Sequence, residues 1–179
     1  MRGFWAAAAL ALLASTAPAA AADLATLGCV RDQMAVPVRA EIAASAAALV
    51  DGKEAAASPA MKAGLTAAAD ACATRHHWSD TARDAAQTHA LVSVSLDTVR
   101  PLAKDRNVRL DLFAAALAAL TPAERNQILI QEQAGTDALL AQLAKQGVAV
   151  EGQAQGGLVG VMAVLTLFEE SQKAIFLAN

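Results

Sequence analysis

The sequence predicts an all-α fold: a bundle of about six helices around an apolar C-terminal helix, preceded by an N-terminal signal peptide. Three observations carry this. The chain is 56% hydrophobic, dominated by Ala and Leu, with almost no β-branched alternation; Val148-Ala149-Val150 is the one strand-like scrap. Helix-start signals recur, as in Ser58-Pro59, Ser79-Asp80 and Thr121-Pro122-Ala123-Glu124. Finally, Leu158 to Phe168 carries no charge and is apolar on nearly every side, so it is expected to sit in the middle with other helices wrapped around it.

Met1-Arg2 opens the chain with a basic residue, and an apolar run from Phe4 to Ala14 follows. Ser15-Thr16-Ala17-Pro18 and the small residues Ala20 and Ala22 then read as a secretory signal peptide cleaved after Ala22. The stretch is nearly long enough for a retained membrane anchor. Alanine is only weakly hydrophobic, however, and Pro18 with the Ala-x-Ala ending fits cleavage better. Residues 1–22 are therefore expected to be removed, leaving 23–179 as a single helical-bundle domain in the periplasm or secreted.

The expected helices follow in order. The first runs from Leu24 to about Ala35 and carries Cys29. Pro37 restricts Val36, so a second spans Val38 to Val50 and stops at Asp51-Gly52. Ser58 as N-cap and Pro59 at the first helical position open a third, ending near Arg75, with Met61, Leu65, Ala68, Ala69 and Cys72 on one side. Ser79 caps a fourth, whose positions 82, 85, 89, 92, 96 and 99 share an inward face; Arg100-Pro101 kinks or ends it. Val108 to Leu120 forms a fifth. Thr121 and Glu124 form a capping box for a sixth, which runs to about Gln146 with a narrow stripe of Ile128, Leu139, Leu140 and Leu143. A glycine-bearing loop, Gly147 to Gly157, leads into the final helix, Leu158 to Leu177. Its Gly156 and Gly160 are expected to let a neighbouring helix approach closely. The uncharged run from Gly156 covers only about 20 Å, short of the roughly 30 Å a bilayer needs, so no transmembrane segment is expected in the mature chain.

Composition removes several function classes. The formal net charge is −3, falling to about −4 without Arg2, which argues against a nucleic-acid partner. Tyr is absent, and Trp78, Phe113, Phe168 and Phe176 are the aromatic residues beyond the leader, too few for stacking platforms or cofactor sandwiches. No Walker loop, dinucleotide fingerprint, haem-attachment motif or calcium loop is present, so no cofactor is expected.

Two cysteines in an exported chain read as one disulfide, Cys29–Cys72, closing a separation of 43 residues with a stabilisation of roughly 4 kcal/mol. The alternative is lipidation of Cys29, because Thr26-Leu27-Gly28-Cys29 loosely resembles a lipoprotein cleavage box with its leucine one place off.

The densest polar cluster is Arg75 to Asp84. Its functional reading is a zinc or copper site built from His76, His77, Asp80 and Asp84. Adjacent histidines on a helix diverge by about 100°, so they share an ion only if the helix ends between them. The plain reading is a solvated helix corner with Trp78 packed over the junction. Cys72 and His76, one turn apart, would make a nucleophilic pair were Cys72 free of its disulfide. Ser79 has His76 and Asp84 nearby but lacks a nucleophile elbow, and capping already explains it. His89, on an apolar stripe, reads as a hydrogen-bonded core residue. Glu169 and Glu170 diverge on their helix, and Glu169 is expected to pair with Lys173. The basic residues Arg100, Lys104, Arg106 and Arg109 are interleaved with Asp97, Asp105 and Asp111, which cancel much of their field.

The sequence thus points to a non-enzymatic binding or structural protein of the cell envelope, self-associating through its apolar final helix. A metal-handling protein using His76 and His77 is the second reading, and an enzyme of unknown class the third.

Overall fold

A computed structural model of the protein describes residues 22–53 and 56–179. Residues 1–21 of the expected signal peptide lie outside the described residues. The described chain is all α, with eight α-helices rather than about six, and Val148-Ala149-Val150 is coil.

The extra helices arise where local hydrogen bonds interrupt expected ones. The first expected helix is divided into a 3-10 turn, Leu24–Thr26, and α1, Cys29–Gln33. Asp23 accepts from the backbone N–H of Ala25 at 2.9 Å, and the Thr26 hydroxyl donates to the Asp23 carbonyl at 2.7 Å. These side chains offer the backbone partners that compete with a continuous helix. α2, Val36–Val50, starts earlier than expected, with Pro37 in its first turn, where the missing N–H leaves no helical bond unmade. α3, Pro59–His76, is capped by Ser58, whose hydroxyl accepts from the Met61 N–H at 3.0 Å.

α4, Asp80–Asp105, begins at the Ser79 cap and continues through Pro101 to a left-handed Asn107. Pro101 and Asp97 are both exposed, so the Asp97 carbonyl that loses its helical donor faces water. α5 is Leu110–Ala118. The expected sixth helix is two: α6, Pro122–Leu129, with the capping box complete, and α7, Gln133–Lys145. Gln131 takes a left-handed φ of 60° at the break. α7 then crosses α6 so closely that a Cβ on Gly135 would lie 2.5 Å from the Ile128 backbone nitrogen. The final helix, α8, is Gly152–Leu177, beginning six residues before the expected start.

Two apolar cores result. One gathers Val99, Phe113, Leu117, Ile128, Leu139, Leu143, Leu158, Met162 and Leu167 from α4 to α8, with Ala46 and Val50 of α2. The other gathers Leu27, Val30, Ile42, Leu65, Cys72, Ala86 and Val94 around the N-terminal segment, α2, α3 and α4, and receives Phe176 from the end of α8. α4 and α8 serve both cores and form the principal helix pair of the bundle.

The enclosed element is α4 rather than the more apolar α8. Val92 to Leu96 are buried at five consecutive positions, so α4 is covered on all sides there. Its two buried serines are satisfied: the Ser95 hydroxyl donates to the Leu91 carbonyl at 3.0 Å, and that of Ser93 to Glu169 at 3.1 Å. On α8, Leu158, Val159, Met162, Ala163 and Leu167 are buried, while Gly160, Val161, Val164, Leu165 and Phe168 are half-buried and Gly157 is exposed. Among the described residues no helix is long and apolar enough to cross a membrane.

Candidate functional site

The histidine–aspartate corner forms at the junction of α3 and α4, and its side chains part company there. His77 adopts a left-handed φ of 56° to end α3. That turn sends the His76 ring onto Trp78, stacked at 5.5 Å between centroids. Asp80 and Asp84 instead converge on the Arg83 guanidinium, at 3.3 and 2.9 Å, with Asp70 of α3 at 3.6 Å. Among the described residues no three His, Cys, Asp or Glu side chains are placed to hold one ion. His76, His77, Asp80 and Asp84 are thus neighbours in sequence that the fold assigns to a stack, a helix end and an arginine.

Trp78 packs over the corner as a hinge pin. Its ring meets Phe176 edge-on at 5.1 Å, and its indole N–H donates to the Thr26 hydroxyl oxygen at 3.1 Å. One side chain therefore fastens the N-terminal turn, the α3–α4 junction and the end of α8. The Cys29–Cys72 disulfide is formed, with an S–S distance of 2.09 Å. It joins α1 to the last turns of α3, so Cys72 has no thiol to pair with His76. Ser79 accepts from the Ala82 N–H at 3.0 Å, which is the capping role.

Arg100, Arg106 and Arg109 around Pro101 are likewise engaged. Arg106 meets Asp51 at 3.0 Å, Arg109 meets Asp111 at 2.6 Å and Arg100 lies 3.9 Å from Asp97. The Arg109–Asp111 pairing raises the guanidinium further and lowers the carboxyl, each chiefly through their hydrogen bond.

A polar cluster that spacing alone does not reveal sits between the two cores, where α4 meets α8. His89 and Ser93 are one turn apart on α4, with Nδ1 3.5 Å from Oγ. Glu169 comes from α8: its Oε1 accepts from Ser93 and lies 4.0 Å from His89 Nε2, and its Oε2 lies 3.7 Å from Arg100. Asp97 extends the set to Arg31 of α1 at 2.7 Å. Glu169 thus turns to Arg100 rather than to Lys173. Burial pushes the His89 imidazole below its ordinary value; Glu169 opposes this, and Lys173 and Arg31 reinforce it. Ser93 is 6% exposed and its proton is committed to Glu169, so the geometry suits a hydrogen-bond relay between helices rather than an open nucleophile. A Ser one turn after His89, between Val92 and Val94, was the one signal in the sequence for this arrangement.

Two surface features remain. An open groove of about 740 Å³ runs between the end of α2 and the start of α8, floored by Leu49, Val50, Gly157 and Val161. Asp51 and Arg106, bonded to each other, and Lys53 form part of its rim. Beside it, the outer side of α8 presents Gly157, Gly160, Val161, Val164 and Phe168 at helical spacing without a charge. Gly156 and Gly160 do not admit a neighbouring helix as expected. The nearest atom to a Cβ on Gly156 would be Val150 Cγ1 at 4.0 Å, and beyond the helix's own backbone nothing lies within 4 Å of one on Gly157 or Gly160.

These features define a disulfide-stapled, all-α bundle with a polar seam inside and an apolar helix side outside. Comparison with protein-family models, curated proteins and solved structures finds no match for the chain.

Proposed function

We propose that this chain is an exported, non-enzymatic protein of the cell envelope that works by association, pairing with a second copy of itself through the outer side of α8. The observation that carries this reading is that side's character: five uncharged residues from Gly157 to Phe168, incompletely covered by the chain's own helices, with open space over two glycines. Such a side lowers its free energy by meeting another apolar helix, and glycines let two backbones come close. An occupant recognised by charge has nothing there to hold. Export is supported by the leader-like residues 1–22 and by the Cys29–Cys72 bridge, since disulfides persist in oxidising compartments.

Sedimentation across a range of concentrations tests the association. The protein is expected to shift from monomer to dimer as concentration rises, and Gly160→Glu is expected to abolish the shift. A Cβ at this position meets open space, so folding is expected to be retained while the apolar side gains a charge. A clean monomer at high concentration, or a dimer indifferent to Gly160→Glu, overturns the reading.

A further inference from the structure

The seam between the cores joins the two longest helices, and its charge is unbalanced. The groups facing His89 are Glu169 and Lys173 of α8 and Arg31 of α1; Asp97 and Arg100 of α4 complete the set. Three cations therefore share two carboxylates around a half-buried imidazole. We propose that His89, Ser93 and Glu169 form a proton-operated latch that holds the C-terminal half of α8 on α4 and loosens it on acidification.

With the ring neutral, the polar atoms are accounted for. The Ser93 hydroxyl gives its single proton to Glu169, so its oxygen accepts from the His89 Nδ1–H, and the Glu169 carboxylate also meets Arg100. A second proton on the ring goes to Nε2, 4.0 Å from the nearest Glu169 oxygen, which is beyond hydrogen-bonding distance. Closing that gap draws Glu169 away from Arg100; leaving it open strands a fourth cation among three others in a half-buried site. Either way the contacts that fix Glu169 in the neutral state are disturbed. Glu169 lies between Leu167, in one core, and Phe176, in the other, so a shift there acts on the segment that carries Phe176 to Trp78.

The sign follows from linkage. Burial makes the folded state a poorer proton acceptor at His89 than the unfolded chain, so this group's contribution to stability is complete above the ordinary histidine value of about 6.5 and is lost as pH falls from there through the lower folded-state value. The latch does not rest on the association proposed above, because His89, Ser93 and Glu169 are not among the residues of that side.

The test is an NMR titration from about pH 8 to about pH 5 of the full chain carrying His76→Gln, which takes the other imidazole off the Trp78 ring, following the His89 ring, the Trp78 indole and the α8 amides. The His89 ring is expected to titrate below about 6.5, with the amides from Glu169 to Phe176 and the indole shifting at the same midpoint. Glu169→Gln removes a charge that favours the proton and is expected to move the midpoint down. Lys173→Met removes one that opposes it, at an exposed position, and is expected to move it up. His89→Gln is expected to leave α8 and the indole unresponsive. Amides of α8 that ignore the His89 titration, or a midpoint unmoved by both charge variants, would overturn the proposal.

Discussion

Replacing Phe176 with alanine probes the closure of the bundle at its least obvious point. Ile175, Phe176 and Leu177 stand together three residues from the end of the chain, yet Phe176 is fully buried while its neighbours are 38% and 43% exposed. Phe176 fills the N-terminal core and meets Trp78 edge-on. Core Phe→Ala changes cost about 3–5 kcal/mol, and the edge-on contact accounts for about 0.5–1.5 kcal/mol of such a loss. A position in the last helical turn recovers some of this by fraying, so about 3 kcal/mol is the working figure, or a fall in Tm of roughly 6 to 12 °C for a domain of this size. Urea denaturation followed by helical circular dichroism reads the loss directly. Ile175→Ala and Leu177→Ala are expected to stay within about 0.5 kcal/mol of the parent. Equal costs at all three positions, or a Phe176→Ala cost below about 1 kcal/mol, would refute the claim that the end of α8 is an integral part of the N-terminal core.

Three further outcomes are expected. Gly135→Ala, whose Cβ meets the α6 backbone at 2.5 Å, is expected to cost about 1–3 kcal/mol in chemical denaturation, whereas Gly157→Ala, which meets open space, is expected to gain up to about 1 kcal/mol from helix propensity. Reduction of Cys29–Cys72, or the Cys29→Ser and Cys72→Ala pair, is expected to remove roughly 4 kcal/mol, visible as a lower melting temperature in reductant. Thr121→Ala breaks the capping box of α6 and is expected to cost about 1 kcal/mol in the same denaturation assay.

Local chemistry was legible in the sequence, and long-range assignment was not. Ser58, Ser79 and Thr121 cap helices as their spacing required, because a cap needs nothing beyond the next three residues. The inward face of α4 also followed from its period. The division of α6 from α7 did not, since Gln131 is neither Gly nor Pro; its left-handed backbone accompanies the close crossing at Gly135. Hydropathy misplaced the centre of the bundle. It favoured α8, for its uncharged run from Leu158 to Phe168, over α4, whose serines mark polar contacts made from inside: Ser93 reaches a carboxylate 76 residues away. At the histidine–aspartate corner, spacing shows which residues are neighbours in sequence and not which partners they take in space. Arg83 competes for both carboxylates and His76 has a ring to lie on, and neither preference is visible from spacing.

The sharing of α4 and α8 by both cores sets how the molecule comes apart. Each helix has 26 residues, about 39 Å of continuous backbone, and threads through both halves like a common axle. Neither half can shed its partners without baring part of the same two rods, so damage on one side raises the free energy of the other. Melting is therefore expected to be concerted. The amides slowest to exchange with solvent belong in the sheathed turn from Val92 to Leu96, the stretch through which the two halves feel each other.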